Sequence, residues 1–205
     1  MKPLILALLL STLAINVKAG IFYKKETLNI AGQQRLNVYL PWKLNPKKKY
    51  PLFINLHGYS GKAFLQNLVL PLTHLVARKK FILISPEGLK DTKGNRYWNS
   101  LDCCTGSAKE DQKRDDVEYL KSLIEQLSEK YPISKTYIAG HSNGGFMAYQ
   151  MACETPDLVA GIVNYGGAAV KADCHPTQSV KILHIHGADD ATIKYAGSDW
   201  HLSAE

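Results

Sequence analysis

Apolar residues along this chain fall into two rhythms, short unbroken runs and longer stretches with an apolar position every third or fourth residue. Tyr50 to Leu56 reads Tyr-Pro-Leu-Phe-Ile-Asn-Leu and ends at His57-Gly58, and Phe81 to Ser85 ends at Pro86-Glu87-Gly88. Runs of this length bounded by breakers predict strands buried on both faces. Tyr137 to Gly140 and Leu158 to Tyr165 read as further strands, and Val180 to His186 alternates and ends at Gly187. Between them, Val117, Leu120, Ile124 and Leu127 form a helical stripe opened by Asp115-Asp116. That acidic pair suits a helix N-terminus through capping and the helix dipole. Phe146 to Cys153 predicts another helix, and Phe64 to Arg78 a third, with Pro71 expected to break or kink it. Thr27 to Ile30 and Arg35 to Leu40 alternate around Ala31-Gly32-Gln33-Gln34, the pattern of an antiparallel hairpin. Strands alternating with helices predict a mostly parallel, twisted sheet with helices on both faces. Leu89 to Lys113 follows neither rhythm, and irregular stretches this long are usually functional or pinned.

The N-terminus is expected to lie outside the fold. Lys2 precedes an apolar run from Pro3 to Ile15, and Val17-Lys18-Ala19 places small residues before Gly20. The run is shorter than the roughly 20 residues of a membrane-spanning helix. Residues 1–19 therefore read as a secretory signal peptide, and residues 20–205 as one domain. The expected location is secreted or periplasmic. An apolar content of 45% with 21% charged residues is an ordinary globular balance, which excludes a disordered chain. The net charge of +7 falls to +5 without Lys2 and Lys18. The basic residues are scattered apart from Lys47-Lys48-Lys49, so no nucleic-acid face is expected. Cys103, Cys104, Cys153 and Cys174 allow up to two disulfides in an oxidising compartment, in three possible pairings. The vicinal pair lacks the spacer of a zinc site, so no metal and no cofactor are expected.

The strongest chemical signal is Gly140-His141-Ser142-Asn143-Gly144, between a predicted strand and a predicted helix. This G-x-S-x-G context holds a nucleophilic serine on a sharp turn, its hydroxyl outward at the sheet edge. Flanking glycines let strand and helix approach closely, and the helix N-terminus adds N–H groups and a positive dipole end. Acyl transfer needs two donors for the developing oxyanion. The N–H of Asn143 is one candidate; the other is Tyr59, in the loop Leu56-His57-Gly58-Tyr59-Ser60-Gly61. His57 precedes the nucleophile and reads as structural. After a late strand, His184-Ile185-His186-Gly187-Ala188-Asp189-Asp190 offers two candidates for the acid that orients a histidine. Trp98 could line an apolar acyl or sugar site, and core packing is the alternative.

With these residues, the chain resembles the polyhydroxybutyrate depolymerase and feruloyl esterase group of secreted α/β-hydrolases. The resemblance runs from about Lys49 to the end. It also rests on Ser85-Pro86-Glu87-Gly88, Trp98-Asn99, Cys103-Cys104, Asp115-Asp116-Val117, Gly145 and Ala152-Cys153-Glu154. It implies an α/β-hydrolase fold and cleavage of polyhydroxyalkanoate or of hydroxycinnamoyl or acetyl polysaccharide esters. Its pattern puts the acid four residues after His186, at Asp190. It puts the catalytic histidine far downstream, after another helix and strand. His201 lies only 11 residues past Asp190, against the roughly 10–12 residues that a crossover alone needs. The chain is accordingly expected to be C-terminally incomplete, without the last helix and strand. The expected partner is an ester substrate, with no nucleic acid and no membrane after leader removal, and the chain is expected to be a monomer. A secreted serine peptidase and a non-catalytic ester- or polysaccharide-binding remnant are the rival readings.

Overall fold

The computed structural model describes residues 22–30, 32–100, 103, 114–170 and 174–204. The expected leader and, apart from Cys103, residues 101–113 with Cys104 among them lie outside the described residues. Seven strands form one sheet: β1 (Tyr23–Ile30), β2 (Gln33–Pro41), β3 (Tyr50–Leu56), β4 (Ile82–Ile84), β7 (Ile133–His141), β8 (Val159–Tyr165) and β9 (Lys181–Ile185). Their spatial order is β1-β2-β4-β3-β7-β8-β9. β1, β2 and β4 pair antiparallel, and every pairing from β4 across to β9 is parallel. This is the α/β-hydrolase architecture that the sequence predicts.

The central strands read as unbroken apolar runs because helices cover both of their faces. α3 (Asp116–Lys130) and α4 (Asn143–Glu154) pack with Leu52, Ile54, Ile82, Ile84, Ile138 and Ile162 into the main core. On the other face, Val76 of α2 (Thr73–Lys79) packs with Phe81 and Leu83, and Phe53 lies against them. α1 (Ala63–Val69) is tied to that face by Gln66, which donates to the buried Asn55 Oδ1 at 2.9 Å. Each fully buried aliphatic side chain contributes about 1.5–3 kcal/mol. At the described end of the sheet β9 exposes Ile182, Leu183 and Ile185.

The predicted helix over 64–78 is two helices, because Pro71 lacks the N–H and the room to continue one. Asp115 caps α3 by accepting from Glu118 N–H at 3.0 Å. β7 begins four residues before the predicted start, at Ile133, and β5 (Leu89–Lys90) with β6 (Arg96–Tyr97) forms a small hairpin inside the predicted irregular stretch. Asp91 holds the turn by accepting from the N–H groups of Lys93 and Asn95. Two-residue strands are too short to leave a period in the sequence.

Cys153 at the end of α4 is bonded to Cys174 across 21 residues, and Cys103 is also disulfide-bonded. None of the described helices is long and apolar enough to cross a membrane. Closing a loop of this size restricts the unfolded chain by about 3 kcal/mol. The double variant Cys153→Ser, Cys174→Ser should lose that much in urea denaturation, with the slope of the transition showing any change in denatured-state compactness.

Candidate active site

The parallel strands end on a common edge, and the loops that follow them carry the chemistry. Ser142 sits between β7 and α4 at φ 51° and ψ −120°, a backbone conformation that side chains rarely adopt. It is held there from several sides. Its N–H donates to Tyr165 O at 2.9 Å, and its C=O accepts from the N–H groups of Gly145 and Phe146. Gly140 and Gly144 make the turn possible. A Cβ on Gly140 would overlap the backbone of Gly144, and one on Gly144 would lie 2.6 Å from the carbonyl oxygens of Leu56 and His57.

Two cavities formed by the described residues open onto Ser142. One, of about 240 Å³, is lined by residues 57–62, by Leu65, Gln66 and Val69 of α1, and by His141. The other, of about 650 Å³, is lined by His141, Tyr165, Gly166, residues 187–190, Thr192 and Ile193. The structure thus brings Ser142 together with Tyr59 in one cavity and with Asp190 in the other. Asn143 opens α4, so its N–H has no partner within the helix. Its side chain turns away: Oδ1 accepts from Trp98 N–H at 2.6 Å, and Nδ2 donates to Trp98 O at 2.9 Å.

Asp190 is held by its neighbours. Its Oδ1 accepts from Ile193 and Thr192 N–H at 2.9 and 2.8 Å. The Ile193 bond above all, then that of Thr192 and the imidazoles of His186 and His141, keeps this carboxyl below its ordinary pKa despite some desolvation. Oδ2 lies 3.6 Å from His186 Nε2. His186 in turn reaches Ile193 O at 2.6 Å, closing the loop that carries Asp190. Its Nδ1 is 3.1 Å from His184 Nε2, and His184 also meets Tyr149 Oη and Asn164 Nδ2. Sequence reasoning missed this support. The signal for part of it was present, since residues two apart in a strand share a face and both histidines stand at such positions.

Three expectations resolve differently from one another. His57 is structural: Gly88 N–H donates to its Nε2, so the proton sits on Nδ1 and is donated to Gly58 O. Trp98 takes the core alternative: it is fully buried and lines neither cavity. The burial has a physical cause, because its indole N–H is engaged by His57 O at 2.9 Å inside the core. His201 is also buried, packed edge-on against Phe146 and Trp200, and lines neither cavity. Among the described residues no group of three His, Cys, Asp or Glu is placed to hold a metal ion.

Residues 44–200 match the phospholipase/carboxylesterase family. A segment of 86 residues is 29% identical to NocK of Nocardia uniformis subsp. tsuyamanensis, covering 40% of this chain and 25% of NocK. The chain therefore spans about a quarter of that relative's length. Among solved structures, a thermostable esterase superposes with a TM-score of 0.58 at 18% identity, covering 85% of this chain and 49% of that one. The Bacillus cereus carboxylesterase superposes with a TM-score of 0.55 at 17% identity, covering 80% and 76%. At these identities the structures bear on the fold alone.

Burial depresses the pKa of His57, His141 and His184, in each case as the leading cause. Free imidazoles titrate near 6.5, so below that pH the unfolded chain binds more protons than the native state. Stability then rises with pH; the contribution is present above about pH 6.5 and is lost as pH falls through the lowered native values. Thermal midpoints measured from pH 5 to 8 should climb and level off near neutrality. His57→Gln should flatten that slope, and a curve falling with pH over this range would refute the assignment.

Proposed function

Because the chain belongs to the phospholipase/carboxylesterase family, we propose that it is a serine esterase in which Ser142 is the nucleophile. The observation that carries this reading is the left-handed backbone at Ser142, held between β7 and α4 and facing two cavities. In the proposed reaction Ser142 Oγ attacks the ester carbonyl and passes its proton to the histidine that the family resemblance places downstream of Asp190, a role assigned to none of the described histidines. Asp190 orients that histidine and stabilises its charged form. The N–H groups of Asn143 and Tyr59 hold the tetrahedral oxyanion. Collapse expels the alcohol, which takes the proton back, and water then hydrolyses the acyl-enzyme.

The finer reading is a secreted enzyme of the polyhydroxybutyrate depolymerase or feruloyl esterase type, acting as a monomer through one domain at residues 20–205. Its substrates would be polyhydroxyalkanoate oligomers or hydroxycinnamoyl or acetyl esters on polysaccharide. The disulfide is compatible with an oxidising compartment. A second reading, a non-catalytic binder of such esters, is favoured by one observation: His141 is the only described histidine lining the cavity that Ser142 and Asp190 share.

Labelling with a fluorophosphonate separates these readings. The esterase reading expects labelling that Ser142→Ala abolishes, and hydrolysis of a short-chain nitrophenyl ester in preference to a peptide anilide. In a chain that carries the downstream histidine, Asp190→Asn should slow hydrolysis by roughly 10⁴-fold with the fold intact. Polyester binding with no labelling at all would establish the binder instead, and preference for the anilide would point to a peptidase.

A further inference from the structure

We infer that Trp98 is a positioning residue that sets the oxyanion site, an inference resting on the reading of Ser142 as nucleophile. Two chain segments would bring N–H groups to the oxyanion: the loop after β3, with Tyr59, and the first turn of α4, with Asn143. They are more than eighty residues apart in sequence, and Trp98 is hydrogen-bonded to both. Its indole N–H donates to His57 O at 2.9 Å, two residues before Tyr59. Its main-chain N–H and C=O are both taken by the Asn143 carboxamide, at 2.6 and 2.9 Å, which engages the Trp98 peptide as a neighbouring strand would. The indole also lies against the His57 ring, with 5.2 Å between centroids.

The Trp98 segment is itself anchored. Asn99 N–H donates to Asp116 Oδ2 at 2.7 Å, and Asp116 is buried at the start of α3 beside Arg114. Burial raises the Asp116 carboxyl above its ordinary pKa, opposed chiefly by the Arg114 guanidinium. The chain of contacts therefore runs from α3 through Trp98 to both oxyanion segments, and Trp98 is where it divides. A phenyl ring would fill most of the same apolar space but leave His57 O without its donor. The loop could then relax by a fraction of an ångström, a displacement that matters most to the tetrahedral state. Trp98 is buried and lines neither cavity, so its effect should fall on the rate of reaction at Ser142 and spare binding.

The test compares the full chain with Trp98→Phe. Each protein is labelled by an alkyl fluorophosphonate over a range of concentrations, which gives a maximal rate constant and a half-saturating concentration. Binding of phenylboronic acid, which forms a tetrahedral adduct with serine, is titrated alongside, and folding is followed by thermal denaturation. The expected result is a maximal rate and a boronate affinity each lower by roughly 10- to 100-fold, less than the roughly 100- to 1000-fold loss on removing an oxyanion donor outright. The half-saturating concentration should stay within about twofold, with cooperative unfolding retained. If Trp98→Phe does not fold, β-(3-benzothienyl)alanine at position 98 keeps the bicyclic shape, replaces only the N–H, and is judged by the same criteria. A folded variant with an unchanged maximal rate overturns the positioning role and leaves the esterase reading standing. So does a change confined to half-saturation. If the unaltered chain neither labels nor binds boronate, the esterase reading fails and this inference with it.

Discussion

The backbone at Ser142 is the constraint around which this molecule is arranged. A serine at φ 51° costs about 1–3 kcal/mol and persists only where its surroundings leave no alternative. Here the surroundings are the backbones of three strands and a helix. β7 enters the turn, α4 leaves it, Tyr165 at the end of β8 accepts the Ser142 N–H, and the end of β3 lies against Gly144. None of these contacts depends on a flexible side chain. The strain is therefore offset by the same parallel sheet that buries Leu52, Ile54 and Ile138, and loss of that core would release the turn.

The same packing fixes where the cavities are. Because β3, β7, β8 and β9 run parallel, their C-terminal loops share one edge, and Ser142 stands where the two cavities meet. On one side α1 supplies Leu65 and Val69 and the loop after β3 supplies Tyr59. On the other, the loop after β9 supplies Asp190. Tyr59 is fixed from outside as well, since its hydroxyl donates to Asp91 at 2.6 Å and thereby joins the loop to the small β5–β6 hairpin.

What the sequence could reveal follows from how local each feature is. The turn at Ser142 is written in five consecutive residues, and the parallel strands in unbroken apolar runs, so both could be read directly. The break at Pro71 was legible as a break, although whether it would bend one helix or divide two depended on packing. Trp98 was not legible, because its meaning lies in partners 41 and 45 residues away, and an aromatic residue in an irregular stretch reads equally as lining or as core. Asn143 concealed a similar second role. Its main chain suits an oxyanion donor, while its side chain, invisible to any motif, fastens the loop behind it.

The choice between Asp189 and Asp190 shows how geometry adds to such a motif. Both line the larger cavity, and the family resemblance picks Asp190 only by its spacing from His186. Asp190, however, has one oxygen tied to two main-chain N–H groups, while the other lies within reach of His186 and near Gly166. A carboxylate anchored by one oxygen loses little freedom when the second accepts a bond from an imidazole, so less of that bond's energy goes into ordering the side chain. The main-chain donors also favour its ionised form, which is the form that can stabilise a neighbouring imidazolium. The loop is then closed beneath it by His186 and Ile193, so the orientation is set before any substrate arrives.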